Sequence, residues 1–181
     1  MKPEISLVMK SNLFTMGITS KNDPRQQVGE PYSIPIASIR ELRARIEFEE
    51  CLEKLQALGV QLLISTKDDP GMAHEVDGMD QVSFVEAGEP DLWGVVDASC
   101  DQIYVAIGTL VSCGVPDLPH LAEVCTCNDA KFPGGKATTV NGKFQKPDGW
   151  KPPNHEFVSL AMRGRIDLQR MSRELVSLHS K

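Results

Sequence analysis

The sequence predicts an all-α protein, an antiparallel helical bundle with an irregular N-terminal arm and a Gly/Pro-rich loop. Three observations carry that prediction. Apolar residues recur at helical spacing from Ser38 to about Gly59 and again from Glu156 to Ser180. Between them, Asp91–Cys113 is one long, largely apolar stretch that stops at Gly114 and Pro116. Turn-forming residues gather outside these stretches, and no internal repeat interrupts the pattern.

In chain order, residues 1–35 hold Pro3, Pro24, Pro31 and Pro35 with little periodicity, so an irregular arm with at most one short strand or helix is expected. Ser38 stands three residues before Glu41, the capping-box spacing, and opens the first long helix. Residues 66–90 are acidic and rich in Gly and Met; one short helix after Pro70, bounded by loops, is expected. The stretch from Asp91 is a second long helix, apolar on nearly every side and therefore expected to be deeply buried. Asp117 opens a further helix through Phe132. Residues 133–155 make a long Gly/Pro/Lys loop or a loose hairpin around Asn141-Gly142, and Glu156–Ser180 is a final amphipathic helix.

The 181 residues suffice for one domain with its own core, and 41% hydrophobic with 24% charged residues excludes a disordered or fibrous chain. A net charge of −6 argues against a protein that coats nucleic acid. The charge is unevenly placed: residues 41–101 hold 15 Asp/Glu against 4 Lys/Arg, whereas 102–181 hold 7 against 10. No run approaches the ~18 uninterrupted apolar residues of a membrane span. Glu4, Lys10 and Asn12 interrupt any signal-like core near the N-terminus. Five cysteines, an odd number, suit reduced thiols and a cytoplasmic setting.

The acidic block holds the candidate chemistry. On the first long helix, Phe48, Cys51, Leu52, Leu55, Leu58 and Leu62 form an apolar stripe, with Glu49, Glu50 and Glu53 on roughly the opposite face. Such an acidic face is ordinarily solvated. Here Leu42, Ile46 and Ala57 share the face with Glu50 and Glu53, and carboxylates framed by apolar turns want a cation. On the second long helix, Asp97 and Asp101 stand at i and i+4, with Tyr104 and Gly108 continuing the row. Two such carboxylates repel unless a positive group lies between them; a cap to another helix, or an ion pair with Arg43 or Arg45, is the plain alternative. Glu50, Glu53, Asp97 and Asp101 make a candidate all-oxygen Mg²⁺ site, with Mn²⁺ as substitute and no His or Cys to favour Zn²⁺. A metal so held serves phosphate chemistry. Glu49, beside the ligands but turned away from them, is the candidate general base.

A basic counterpart lies downstream. Asn128 and Lys131 end the third long helix, and Lys136, Lys143, Lys146 and Lys151 follow in the Gly/Pro loop. Asn128, Lys131, Lys143 and Lys146 are candidate contacts for polyphosphate oxygens, with solvated loop lysines as the plain alternative. Trp150, beside Pro152 and Pro153, either stacks on a base or anchors the loop, and Tyr104 is counted with the substrate contacts.

The run VVDASCDQIYVAIGTLVSCGVPDLPHLAEVCTCNDAKF, preceded by FEECLEKL and followed by GKFQKPDGWKPP, resembles the all-α nucleoside triphosphate pyrophosphohydrolases. That superfamily includes MazG, the phosphoribosyl-ATP pyrophosphohydrolases and dimeric dUTPases, and the likeness is strongest to compact MazG-like enzymes of bacteriophages and bacteria. The family's EExxE helix corresponds to Glu49, Glu50 and Glu53, and its second acidic helix to Asp97 and Asp101. Its third helix and tail correspond to Glu123, Asn128, Lys131, Lys143, Lys146 and Pro152-Pro153. The family's ExxD reads here as Ala98-Ser99-Cys100-Asp101, with Asp97 offering the missing carboxylate. The resemblance divides the chain into an arm (1–35), a MazG-like domain (36–155, with 66–90 as an insertion) and a C-terminal helix (156–181). It implies Mg²⁺-dependent hydrolysis between the α- and β-phosphates of a (deoxy)nucleoside triphosphate, with a purine deoxynucleotide such as dATP or dGTP favoured over dUTP or phosphoribosyl-ATP. It also implies a homodimer or homotetramer.

Rival readings fare less well. Pro133-Gly134-Gly135-Lys136-Ala137 lacks the spacing of a phosphate-binding P-loop and follows no expected strand. A zinc site on His120, Cys125 and Cys127 lacks a second ligand pair. Cys100 or Cys113 as a nucleophile with His74 or His120 has no motif behind it. The serious rival is a catalytically idle helical oligomer that binds nucleotides or a partner as a regulator.

Overall fold

A computed structural model gives the fold and describes residues 5–64, 76, 81–137, 139–140 and 143–180, excluding the side chains of Val140 and Lys143. Among these residues the chain is mostly helical, with six α-helices and two small antiparallel β-ladders. It divides into two compact units, one formed by residues 5–39 and 107–180, the other by 40–106.

The first unit corrects the reading of the N-terminus. Leu7–Thr19 is a full helix, α1, where an irregular arm was expected. Ser6 starts it by accepting the Met9 amide on its side chain at 3.0 Å, and its own amide donates to Asp117 Oδ1 at 3.2 Å. Ile5, Met9, Leu13 and Met16 recur one turn apart and are buried with Ile107, Val111 and Leu168 as the core of this unit. The helix is legible only in retrospect, because Leu7, Phe14 and Ile18 make it apolar on several sides and leave no polar face to show the period.

The C-terminal stretch is two helices, not one: α5 (His155–Met162) and α6 (Leu168–His179). Gly164, at φ 71°, takes a left-handed conformation in the break, and the Asp167 side chain caps α6 by accepting the Arg170 amide. α6 packs along α1, and the Ser172 hydroxyl donates to Leu13 O at 2.6 Å. The crossing is close enough that a Cβ added at Gly17 would lie 2.5 Å from Ser172 Oγ.

α4 spans Asp117–Asp129, shorter by three residues than expected, and packs against α5. The hairpin reading of the loop is borne out in part. β3 (Thr139–Val140) pairs with β4 (Lys143–Phe144), while Asn141-Gly142 lies outside the described residues.

In the second unit the first two long helices appear close to their expected limits, as α2 (Ala37–Ala57) and α3 (Leu92–Ser112), each extending past the unit's boundary. Ser38 lies inside α2, which begins at Ala37 after Ile36, so Ser38 is not the N-cap that its spacing from Glu41 predicts. α2 and α3 run antiparallel: Arg43 donates to Val105 O, Lys54 to Gln102 Oε1 at 3.0 Å, and the Asp91 amide to Ala57 O at 2.8 Å. After the left-handed turn at Gly59, β1 (Val60–Ile64) pairs antiparallel with β2 (Val82–Glu86), Val60 opposite Glu86 and Ile64 opposite Val82. This hairpin corrects the all-α expectation. The short helix expected after Pro70 falls outside the described residues.

The deep burial expected of α3 is also overturned. Trp93 is 75% exposed and Ile103 57%, and Leu92 and Val96 are open as well. Among the described residues of this unit, α2 and the two-stranded ladder are the other elements, and Phe48, Leu52, Phe84 and Val85 on them are themselves exposed. By length and composition α3, at 21 residues, would suffice to cross a membrane. It nevertheless carries Asp97 and Asp101 near its middle, where each charge would cost ~2.5–3.5 kcal/mol in a bilayer.

Candidate functional site

The carboxylates singled out in the sequence stand in one neighbourhood of the second unit. Asp91 supplies the local start of α3: its Oδ1 accepts the Trp93 amide at 3.0 Å, an N-cap that fixes where the following turns point. Asp97 and Asp101 follow on successive turns, and α2 lays Glu50 and Glu53 beside them. Glu50 is the informative member. Its Oε2 is buried and has no hydrogen-bond partner. Its carboxyl is pushed above the usual carboxylate range, first by desolvation and then by Glu53, Asp101, Glu49 and Asp97. Four other acids from the two helices thus act on Glu50.

An unpartnered buried carboxylate oxygen in the field of four other acids is chemically suited to a hard cation, so the donor set fits Mg²⁺. The shell is open, however. Among the described residues no three His, Cys, Asp or Glu side chains stand close enough together to hold an ion outright. Glu53, Asp97 and Asp101 are exposed, and their side chains have freedom to converge. A cavity of about 510 Å³ lies beside them, lined by Glu53, Gln56, Asp91, Gly94 and Asp97. Asp91, which caps α3, was not among the sequence candidates. A larger cavity, about 550 Å³, lies between α2 and β1 and is apolar, lined by Phe48, Leu52, Leu55, Val60 and Leu62.

Glu49, the candidate base, lies on the outer side of α2 and accepts from Arg45 Nε at 2.8 Å in an exposed pair. Tyr104 is half-buried, one turn beyond Asp101.

The basic candidates gather in the first unit. Lys131 Nζ donates to Asn128 Oδ1 at 2.8 Å. The Lys131 and Lys146 ammonium groups lie 5.4 and 4.5 Å from the centre of the Trp150 ring. Trp150 in turn donates its indole N–H to Cys127 O at 2.7 Å, which anchors the loop to the end of α4. Asn128, Lys131, Lys146 and Trp150 thus form one group, whereas the Lys143 side chain lies outside the described residues. Glu123, matched only through the resemblance, accepts the Asn154 amide at 3.0 Å and so orders the entry to α5. The five cysteines are not bridged to one another.

No family model matches the chain, and no curated protein matches it in sequence.

Proposed function

We propose that the protein is a Mg²⁺-dependent nucleotide pyrophosphohydrolase that converts a nucleoside triphosphate, a purine deoxynucleotide such as dATP or dGTP, to the monophosphate and pyrophosphate. The observation that supports this reading is the buried, unpartnered Glu50 oxygen, whose carboxyl feels the charges of Glu53, Asp101, Glu49 and Asp97. Bound Mg²⁺, or Mn²⁺ in its place, would neutralise phosphate charge and polarise the reacting phosphorus. Glu50, Glu53, Asp97 and Asp101 hold the ion, and charge repulsion among them in its absence supplies part of the affinity.

Glu49, once released from Arg45, orients a water and takes its proton. The water oxygen bonds to the α-phosphorus, the bond from that phosphorus to the bridging oxygen breaks, and pyrophosphate leaves with the electron pair. By the resemblance alone, Lys131 and Lys146 would take the charge of the departing pyrophosphate. A homodimer or homotetramer in the cytoplasm completes the proposal; Phe48, Trp93, Val96 and Ile103 are exposed apolar side chains that a second copy would cover.

The open ligand shell and the Glu49–Arg45 pair favour one other reading, an idle nucleotide-binding regulator. A panel of deoxynucleoside triphosphates including dUTP, together with phosphoribosyl-ATP, separates the two. Pyrophosphate release that requires Mg²⁺ supports the enzyme. Tight nucleotide binding with no release on any substrate supports the regulator.

A further inference from the structure

A pair of histidines in the first unit faces one another across the α4–α5 junction. His120 on α4 is 8% exposed, and His155 is the first residue of α5. Their Nδ1 atoms lie 3.2 Å apart and their ring centroids 5.2 Å apart, with the rings inclined by 50°. Both residues are held in place from outside the pair. The Asn154 amide donates to Glu123 Oε1 at 3.0 Å, and the Asn154 side chain caps α5 by accepting the Phe157 amide. On its other side the His120 ring meets Tyr32 edge-on at 5.9 Å. Tyr32 is the one described non-glycine residue at positive φ, 52°, a strained conformation maintained by its surroundings.

We propose that His120 Nδ1 and His155 Nδ1 form a two-histidine site for a transition-metal ion of the zinc class, distinct from the carboxylate cluster. Two nitrogens bonded to one tetrahedral ion at 2.0–2.1 Å would stand about 3.3 Å apart. With an imidazole radius of roughly 1.15 Å, the same geometry separates the ring centroids by about 5.2 Å, whereas a straight N–H···N bond at the same nitrogen spacing would give about 5.5 Å. The observed 3.2 and 5.2 Å, with the rings inclined by 50°, accommodate the converging arrangement as well as a bent hydrogen bond. Imidazole is a preferred ligand for Zn²⁺, Cu²⁺ and Ni²⁺ and not for Mg²⁺, so the two sites select different ions.

The second shell fits the same assignment. Ligation through Nδ1 leaves the proton on Nε2, and His120 Nε2 is buried with no hydrogen-bond partner. Tyr32 Oη, on the ring that meets His120 edge-on, is likewise buried and has no hydrogen-bond partner. Glu123 contributes negative charge at the junction. No third His, Cys, Asp or Glu among the described residues completes the shell, so solvent fills the remaining positions. The ion would fasten α5, and the Trp150–Asn154 segment before it, onto α4.

The test is a Zn²⁺ titration of the full chain after chelator treatment, followed by calorimetry and by ¹⁵N spectra of the histidine rings. One equivalent should bind with movement of both Nδ1 resonances. His155→Gln changes an exposed side chain and should keep the fold by circular dichroism while losing about tenfold or more in affinity, equal to ~1.4 kcal/mol. A Cys125→Ser/Cys127→Ser double variant and Asp101→Asn should bind as the parent does. Unchanged Zn²⁺ affinity and stoichiometry in His155→Gln, or histidine resonances unmoved by Zn²⁺ in the parent, would overturn the proposal.

Discussion

Glu50→Gln tests the tension within the carboxylate cluster. The substitution keeps the side chain's shape and removes one charge from a group disfavoured by desolvation and by four other acids. Glu49 is engaged by Arg45, which leaves Glu53, Asp97 and Asp101 as the effective opponents. Like charges one turn apart on a helix cost about 0.2–0.5 kcal/mol, so relief from Glu53 alone should stabilise the ion-free protein by about that much, with Asp97 and Asp101 on α3 adding in the same direction. For a chain of this size that corresponds to a Tm increase of roughly 1 °C or more. The pH sign is fixed. A carboxyl whose pKa is raised on folding is destabilising where it must ionise, so the gain is present at neutral pH and vanishes at about pH 4, where both states hold the proton. Differential scanning fluorimetry in EDTA and again in Mg²⁺ reads both effects. Mg²⁺ should raise the Tm of the parent more than that of Glu50→Gln, which reverses or narrows their order. A variant less stable than the parent in EDTA at neutral pH, with an equal Mg²⁺ response, would refute the account of a charge-strained cation site.

Three further outcomes follow from the same geometry. Lys131→Ala removes both the Asn128 hydrogen bond and one of the two cations on Trp150, and should raise KM several-fold with little change in Tm; an unchanged KM would make Lys131 a surface lysine. Cys127 is shifted upward by desolvation and by the neighbouring Glu123, so at pH ~8 it should alkylate more slowly than the exposed Cys100 and Cys125, as read by mass spectrometry of iodoacetamide adducts. Gly17→Ala places a methyl 2.5 Å from Ser172 Oγ and 2.7 Å from Val176 Cγ2, and should destabilise the α1–α6 packing by about 1–3 kcal/mol in urea unfolding.

The parts of the fold that declared themselves in the sequence are those with strong local punctuation. α3 ends where Gly114 takes φ 65° and the Val115 amide reaches back to Leu110 O, and α4 begins directly after Pro116. The β1–β2 ladder was not legible. VQLLI continues the apolar run of α2, and its partner VSFVE lies far along the chain, so the pairing depends on a long-range contact that no local pattern encodes. The acidic cluster was legible because i, i+3 and i, i+4 spacing places side chains on one helix face wherever the helix lies. Trp150 as an anchor of the loop was one of its two expected roles, whereas the gathering of Lys131 and Lys146 on its ring, and the indole bond to Cys127 O, had no sequence signal. The His120–His155 pair joins residues 35 positions apart across two helices, and no motif spacing announces it.

The most direct test of the proposed chemistry is the identity of the phosphorus products. Parent protein incubated with dATP and Mg²⁺ should yield dAMP and pyrophosphate in equal amounts by ³¹P NMR, with no orthophosphate and no turnover in EDTA. Asp101→Asn, folded by circular dichroism, should yield neither. Release of orthophosphate with dADP, or undiminished turnover by Asp101→Asn or in EDTA, would contradict a carboxylate-held Mg²⁺ acting at the α-phosphorus.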